Sequence, residues 1–302
     1  MQTATGVYIL GVLASIITAA LFAATNVVYK KLGDRITPLE IVITRSLISL
    51  PLAIVLVLPP FNPDGISLTL DGFLFLTFSM VIGLVIGDLL YFESQERIGV
   101  SRAFPISASY PLLVYLLAAL FLNEPVIPTR VLGAIMVVVG IGLITRDQHK
   151  QARNSTEDQE KIIIGVGLAL VTFVAWALSD LTLQVGLIDV DPLDANFIRI
   201  IIGVIVFLPL VPYSGKKSAI RTDRKLLGIV LATGFVGFSV TLVLLTFAVA
   251  YIGATVNSVI LAASPLVSTP ISIVILDEKA TGQVIVGTIL AFLGVALVVL
   301  VF

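Results

Sequence analysis

The sequence contains no cysteine, one histidine and one tryptophan, and charged residues make up only 12% of its 302 positions. Without cysteine, disulfides, thiolate metal sites and cysteine nucleophiles are excluded. A single histidine excludes a zinc motif with two histidines on one helix face, and a net charge of −1 provides no basic face for nucleic acid. Apolar residues reach 58%, with a mean hydropathy of +1.12. Soluble domains carry about 25% charged residues, so this composition indicates a lipid bilayer as the solvent.

Long apolar segments recur along the chain, and about 20 apolar residues are enough to span a bilayer as a helix. The first one lacks a basic segment before it, so we expect a retained helix rather than a cleaved signal. The only long polar run, residues 146–161, is predicted to be a linker with a solvated His149. Ten transmembrane helices are predicted, at 7–28, 38–58, 72–92, 101–122, 128–145, 162–183, 193–211, 226–250, 255–276 and 281–301.

An internal repeat relates the two halves of the chain. The phrase SASYPLLVYLLAALFLNEP at 107–125 returns in altered form as LAASPLVSTPISIVILDEK at 261–279, 154 residues later. Glycine, proline and charged residues mark turns, helix breaks and close contacts, so their recurrence at one offset indicates a repeat. The predicted units are a five-helix repeat at 1–148, a linker at 149–161 and a second five-helix repeat at 162–302. The matched positions are Pro38/Pro192, Arg45/Arg199, Gly83/Gly237, Gly99/Gly253, Pro111/Pro265, Glu124/Glu278, Gly133/Gly287 and Gly140/Gly294.

The number of helices in each repeat predicts that the second repeat is inverted. Five is odd, so the second copy enters the membrane from the opposite side. Lysine and arginine accumulate in cytoplasmic loops, and here they concentrate in the loops after the odd-numbered helices. Arg130, at the start of the fifth helix, is the exception. We therefore predict two inverted repeats, with both termini on the non-cytoplasmic side.

Motifs in both halves resemble those of the drug/metabolite transporter superfamily, specifically the EamA-type permeases. The matching phrases are Pro-Leu-Glu followed by Arg45, Pro-Leu-Asp followed by Arg199, the repeated Pro-Leu and terminal Glu phrase, and the paired glycines of the fifth and tenth helices. The resemblance implies an all-α membrane protein with ten helices in two EamA repeats. It also implies a central cavity lined mainly by helices 1, 3, 4, 6, 8 and 9. Members of that superfamily move amino acids, sugars, nucleotide derivatives and drugs.

Four charged residues lie within the predicted helices: Arg45, Asp88, Asp180 and Arg199. Charges in the hydrocarbon are costly and usually face a cavity or a partner. The arginines have two interpretations, because their long side chains can also snorkel to the interface. The aspartates are short, which favours a functional role. We expect Arg45 and Asp88 near the cytoplasmic side and Asp180 and Arg199 near the outer side, as two gates.

Two prolines interrupt each of the fourth and ninth predicted helices, and one from each helix, Pro111 and Pro265, lies at matched positions. The four are Pro105, Pro111, Pro265 and Pro270. Each removes a backbone donor and frees a carbonyl one turn earlier. They are either tolerated kinks, which are common in membrane helices, or hinges beside a solute site. Glu124 and Glu278, at the ends of these helices, are predicted to cap or anchor them rather than contact solute.

Polar and aromatic residues inside the predicted helices are candidates for solute binding, although each could instead make a structural contact between helices. The candidates are Asn26, Tyr91, Ser107, Tyr110, Tyr115, Trp176, Ser179, Asn257, Ser258 and Ser264.

Enzyme signatures are missing from the sequence, including the Gly-x-Ser-x-Gly nucleophile motif and the Walker A lysine. The predicted function is therefore a secondary transporter in the cell membrane. We expect it to move a small organic metabolite, such as an amino acid or a related solute, by alternating access. No cofactor or metal is predicted, a coupling proton or ion is compatible with this function, and the chain is expected to be a monomer or weak homodimer. The alternative is a membrane scaffold or receptor without transport.

Overall fold

The computed structural model is helical along most of the chain, and the prediction of an all-helical membrane protein is confirmed. It describes residues 2–32, 35–151, 159–213, 223–267, 270–271 and 282–300, and no strand occurs within those ranges. Four parts of the prediction lie wholly or largely outside the described residues. They are Glu278, the end of the predicted ninth helix, most of the polar linker, and much of the loop after the seventh predicted helix.

The first half of the chain forms α1 to α7, and the second forms α8 to α12. A π-helical segment, Met80–Gly87, joins α3 to α4, and a second one, Phe235–Val240, joins α10 to α11. A 3₁₀ segment, Leu208–Tyr213, follows α9. The helices are α1 Gln2–Leu32, α2 Pro38–Leu56, α3 Leu70–Ser79, α4 Asp88–Ile98, α5 Val100–Ser107, α6 Pro111–Phe121, α7 Pro128–Gln151, α8 Gln159–Gly186, α9 Pro192–Phe207, α10 Arg224–Gly234, α11 Thr241–Ala262 and α12 Gly282–Leu300.

Local sequence signals explain where helices α2 and α9 begin. The Thr37 hydroxyl accepts a hydrogen bond from the Glu40 amide, and the Glu40 carboxylate accepts one from the Thr37 amide. This capping box satisfies donors that the first turn of a helix leaves unpaired. Asp191 caps α9 through the Leu193 amide. A proline follows each cap, at the position where its missing N–H costs nothing.

Eight helical stretches within the described ranges are long and apolar enough to cross a membrane. One of them, Arg224–Val267, has 44 residues and covers the eighth predicted helix and the first part of the ninth. The shorter apolar stretch Pro128–Leu143 adds a further candidate. Large apolar side chains such as Leu10, Phe121 and Phe292 are more than half exposed, as expected for surfaces that contact lipid.

The helix ends around the linker differ from the prediction. Helix α7 continues to Gln151 and helix α8 already begins at Gln159. The predicted linker at 149–161 is therefore partly helical at both ends. Glutamine, glutamate and lysine have good helix propensity, so polar turns can extend a helix beyond the hydrocarbon. His149 belongs to the last turns of α7 rather than to a loop.

Two glycines at matched positions break the helices in the same way. Gly99 adopts φ 78° and ψ 157°, and Gly253 adopts φ 76° and ψ 162°. This backbone region is accessible essentially only to glycine. Gly99 separates α4 from α5, and Gly253 interrupts α11. The two π-helical segments overlap when one is shifted by the repeat offset of 154 residues, so the irregular backbone itself recurs in the two halves.

Helices α7 and α12 pack against each other through paired glycines. A Cβ atom on Gly133 would lie 2.6 Å from the carbonyl oxygen of Gly294, and one on Gly140 would lie 2.6 Å from that of Gly287. Only glycine allows backbones to approach so closely, as in other membrane helix pairs. Gly133 matches Gly287 and Gly140 matches Gly294 in the repeat, so the two contacts are equivalent.

Candidate functional site

A cavity of about 110 Å³ lies among the helices, and its wall includes all four charged residues predicted inside the membrane. One water molecule needs about 10–15 Å³ of such space, so the cavity can hold several waters or a small organic group. Arg45 comes from α2, Asp88 from the start of α4, Asp180 from α8 and Arg199 from α9. The sequence predicted two gates, one near each side of the membrane, and in the structure all four charges line one space.

Arg45 and Asp88 form an ion pair, in which Arg45 Nε is left without a hydrogen-bond partner among the described residues. An Arg45 Nη2 hydrogen is donated to Asp88 Oδ2, and the Trp176 indole Nε1–H is donated to Asp88 Oδ1 over 2.9 Å. The Arg45 guanidinium also lies over the Phe238 ring, 4.3 Å from its centroid. Arg45 and Asp88 are 4% and 5% exposed, so these contacts replace part of the hydration that the two charges lose on burial. The cluster connects α2, α4 and α8.

Asp180 and Arg199 are only partly paired. Arg199 is 1% exposed, and its Nε and Nη1 atoms have no hydrogen-bond partner among the described residues. Asp180 is 8% exposed, and its Oδ2 atom likewise has no described partner. No salt bridge joins the two side chains, although their charges attract each other and the Tyr110 hydroxyl interacts with the Asp180 carboxylate. The cavity wall thus combines one ion pair with two further charges of opposite sign, and Arg45, Asp180 and Arg199 each keep at least one polar atom without a described partner.

The cavity wall contains only some of the other predicted site residues. Tyr110, Trp176 and Ser179 line it, whereas the remaining seven do not. Several of those make structural contacts instead. Ser107 Oγ donates to the Ala169 carbonyl oxygen over 3.2 Å, and Ser258 Oγ donates to the Thr255 carbonyl oxygen over 2.9 Å. The seven residues outside the wall are Asn26, Tyr91, Ser107, Tyr115, Asn257, Ser258 and Ser264.

Both halves of the sequence match the same protein-family model. The EamA-like transporter family model matches residues 9–146 and again residues 163–300. The chain belongs to the EamA-like transporter family. Membership makes it a multi-pass integral membrane protein and a membrane transporter.

Two relatives of this EamA chain are named uncharacterized transporters. One, from Archaeoglobus fulgidus, is 28% identical over 235 residues, which cover 76% of this chain and 78% of the relative. Another, from Clostridium kluyveri, is 29% identical over 108 residues, or 36% of this chain and 35% of the relative. A protein of known crystal structure superposes with a TM-score of 0.74 at 17% identity, covering 98% of each chain. That similarity supports the fold alone.

Apolar residues complete the cavity of this EamA protein, and none of them stands out in the sequence. The aromatic rings of Phe22, Phe104 and Phe238 and the side chains of Leu84 and Leu242 lie in its wall. The only sequence signals were indirect. Leu84 and Phe238 each follow one of the matched glycines, and Leu242 matches Asp88 across the repeat. An apolar residue in an apolar chain gives no signal of its own, since lipid-facing and cavity-facing leucines look alike.

A second polar network lies one helical turn from the cavity along α8. Gln184 follows Asp180 by four residues and so lies on the same face of the helix. The Glu124 carboxylate accepts hydrogen bonds from Gln184 Nε2, at 2.7 Å, and from Thr255 Oγ1, at 2.8 Å. Gln184 Oε1 accepts the Ala254 amide, at 2.5 Å, directly after the break at Gly253. Glu124 therefore anchors the end of α6 to both α8 and α11.

The predicted hinge prolines lie at or near helix breaks. Pro105 is inside α5, and Pro111 is the first residue of α6, after a turn at 108–110. Pro265 follows a turn at 263–264 in the second half, and Pro270 lies beyond it. No group of three or more histidine, aspartate or glutamate side chains within the described part of the chain is arranged to hold a metal ion.

Proposed function

We propose that this EamA-family protein moves a small organic metabolite, such as an amino acid or a related solute, by alternating access. The observation that carries the proposal is the cavity lined by the buried charges Asp180 and Arg199, which keep polar atoms without a described hydrogen-bond partner. Charges in a membrane protein are costly and are retained where they serve a pathway or a bound solute. A concave, mostly apolar space with a few polar groups between helices is also the usual form of a small-molecule site.

Ten membrane crossings in two inverted repeats are part of the proposal, and matched contacts support them. Gly83 lies against Ser179, and the equivalent Gly237 lies against Thr25. Loop contacts fit the same arrangement. Arg35 after α1 pairs with Asp223 before α10, whereas Asn62 after α2 donates to Asp194 at the start of α9. The first contact joins loops predicted on the cytoplasmic side, and the second joins segments predicted on the outer side.

Alternating access needs a barrier on each side of a central site, and inverted repeats supply the two barriers from equivalent positions. We propose that the network of Glu124, Gln184 and Thr255 forms the outer barrier in the conformation described here. The Arg45–Asp88–Trp176 cluster then connects the helices that move around the cavity. The breaks before Pro111 and Pro265 serve as hinges, because backbone groups freed by proline can change partners.

Solute flux through reconstituted protein tests this proposal. Purified protein in proteoliposomes should exchange at least one labelled metabolite from a mixed panel of amino acids, organic acids, amines and sugars. Protein-free liposomes provide the background, and an imposed proton gradient asks whether a proton is coupled to the flux. A scaffold or receptor without transport would bind a solute and leave its flux at background, which would contradict the proposal.

A further inference from the structure

A cluster of three uncharged polar side chains lies between the packed helices α1 and α11. Ser15 Oγ donates a hydrogen bond to Asn257 Oδ1 over 2.8 Å. The other end of the amide, Asn257 Nδ2, and the hydroxyl oxygen of Thr18 have no hydrogen-bond partner among the described residues. Ser15 and Asn257 are fully buried, and Thr18 is 2% exposed. A buried polar atom without a partner loses its hydration without compensation, so these two atoms favour a group that the chain itself does not supply.

The cluster adjoins the cavity. Thr18 lines the cavity wall, and so do Leu261 and Ala262 at the end of α11. Ser15 precedes Thr18 by three residues and Asn257 precedes Leu261 by four, so each lies on the same helix face as a wall residue. The bond from Ser15 holds the Asn257 amide against α1. A solute in the cavity can therefore reach the cluster along the contact between the two helices.

The internal repeat shows that this helix contact does not require polar side chains. Ala169 and Ala103 occupy the positions that match Ser15 and Asn257, and both alanines are fully buried. The equivalent contact in the other half, between α8 and α5, thus forms without a polar pair. Burial of an amide costs free energy unless its hydrogen bonds are replaced. The polar pair therefore has a purpose other than joining the helices.

Thr18 differs from its counterpart in the same way. Thr172 occupies the matched position, and its hydroxyl donates to the Leu168 carbonyl oxygen over 3.0 Å. A buried threonine in a helix is thus able to satisfy its hydroxyl within its own helix. Thr18 makes no such bond among the described residues. The two halves differ at this contact in their free hydrogen-bonding atoms, as expected if only one half contributes to a binding site.

We infer that Asn257 and Thr18 form a subsite for an uncharged hydroxyl group of the solute. The hydroxyl oxygen accepts a hydrogen bond from Asn257 Nδ2, and its hydrogen is donated to Thr18 Oγ1. An ionised group would need a charged partner to offset its desolvation, and none of the three side chains is charged. The inference rests on the proposed transport function and assigns specificity-determining residues that lie apart from the buried charges Asp180 and Arg199.

Three pairs of probes, each differing by one hydroxyl, test the inference on the full chain in lipid nanodiscs. They are serine and alanine, lactate and propanoate, and ethanolamine and ethylamine. The pairs are zwitterionic, anionic and cationic, so the comparison does not depend on the charge of the solute. In at least one pair, calorimetry should show an affinity about tenfold or more higher for the hydroxylated member. The analogue without a hydroxyl leaves the donor of the subsite buried and unpaired.

Two variants assign this preference to the subsite. Asn257→Ala and Thr18→Val should each abolish it. The matched control is Thr246→Ala, because Thr246 is fully buried in α11 outside the cavity wall and its hydroxyl already donates to the Leu242 carbonyl oxygen. The control should keep the preference of the wild type. A merely structural role of Asn257 would change stability and leave the ratio of the two affinities within a pair as it is.

Several results would overturn the inference. Equal affinities within all three pairs would show that the two atoms are satisfied by water instead of solute. A preference that persists in both variants would place the hydroxyl elsewhere in the cavity. Absence of binding by every probe, while another solute of the flux panel is transported, would reject the subsite and retain the transporter. A hydroxyl preference in binding, with no flux of any solute, would contradict the transport function and retain the subsite. The wild-type comparison needs no variant, so it remains decisive if a variant fails to fold.

Discussion

The ion pair between Arg45 and Asp88 offers a quantitative test of the structure. Replacing Asp88 by leucine removes the acceptor of both the Arg45 guanidinium and the Trp176 indole. Arg45 is 4% exposed, so its charge would stay buried without a partner. Breaking a buried pair in this way commonly costs about 3–5 kcal/mol. We expect Asp88→Leu to lower the free energy of unfolding by that amount. Leucine is a natural choice, because Leu242 occupies the matched position in the second half.

A second replacement should recover most of the loss. In the double variant Arg45→Met/Asp88→Leu neither charge remains, and well-packed apolar residues can replace a buried ion pair at little cost. The contact of Arg45 with the Phe238 ring is also lost, and a desolvated contact of this kind contributes up to about 2 kcal/mol. The double variant should therefore lie within about 2 kcal/mol of the wild type, and above Asp88→Leu in stability.

Reversible unfolding in mixed detergent micelles, followed by fluorescence, measures these differences. The control is Glu93→Gln, which removes one member of a half-exposed ion pair on α4. Such surface pairs contribute about 0–1 kcal/mol, so the control should unfold nearly as the wild type does. The reasoning would be refuted if Asp88→Leu cost less than about 1 kcal/mol, or if the double variant were no more stable than the single one.

Four further predictions follow from other contacts. Gly253→Ala should cost about 1–3 kcal/mol because φ 76° and ψ 162° suit only glycine, whereas Gly167→Ala on the open face of α8 should cost nothing by the same unfolding assay. Glu124→Ala should raise the rate at which an impermeant reagent from outside modifies Ser179→Cys by about tenfold or more, since two hydrogen bonds to a carboxylate are lost; an unchanged rate would reject the outer barrier. Hydrogen bonds from the Leu226 amide and the Arg35 guanidinium lower the pKa of the Asp223 carboxyl in the folded protein. Its contribution to stability is therefore present above the pKa of the unfolded chain and is lost as the pH falls through the lowered pKa of the folded state. Asp223→Asn should flatten this part of the pH profile of the unfolding midpoint. With no native cysteine, Ser67→Cys should be modified from outside intact cells and Ser155→Cys should not; the reverse pattern would invert the predicted orientation.

Residues with special backbone properties made much of the fold predictable. Gly99 and Gly253 were expected at helix breaks, and the structure gives both the same backbone conformation. Such positions are informative because few alternatives to glycine exist there. The two π-helical segments were not predicted, since their sequences MVIGLVIG and FVGFSV read as ordinary apolar helix. An extra residue in a helical turn depends on packing against neighbouring helices, which a single sequence does not display.

The candidate site was predictable in its residue types and not in its layout. Charges are costly in the hydrocarbon, so four residues stand out in the sequence: Arg45, Asp88, Asp180 and Arg199. Their positions along separate helices suggested two distant pairs, whereas crossing helices bring all four to one cavity. How close two charged side chains come depends on where their helices cross, which the sequence alone does not show. Glu124 shows the same limit, because its partners Gln184 and Thr255 are distant in sequence and carry no charge to suggest the pairing.

The glycine contact between α7 and α12 has a consequence for how the chain could be assembled. Each half contributes its last helix, and each last helix supplies both a glycine and the carbonyl oxygen that the partner's glycine meets. The surface is thus self-complementary in the manner of a symmetric dimer interface, although both sides belong to one polypeptide. Two separate genes, one ending at Gln151 and the other beginning at Gln159, should accordingly produce fragments that find each other in the bilayer. The covalent connection would then set the ratio of the two halves, while their recognition is already encoded in Gly133, Gly140, Gly287 and Gly294.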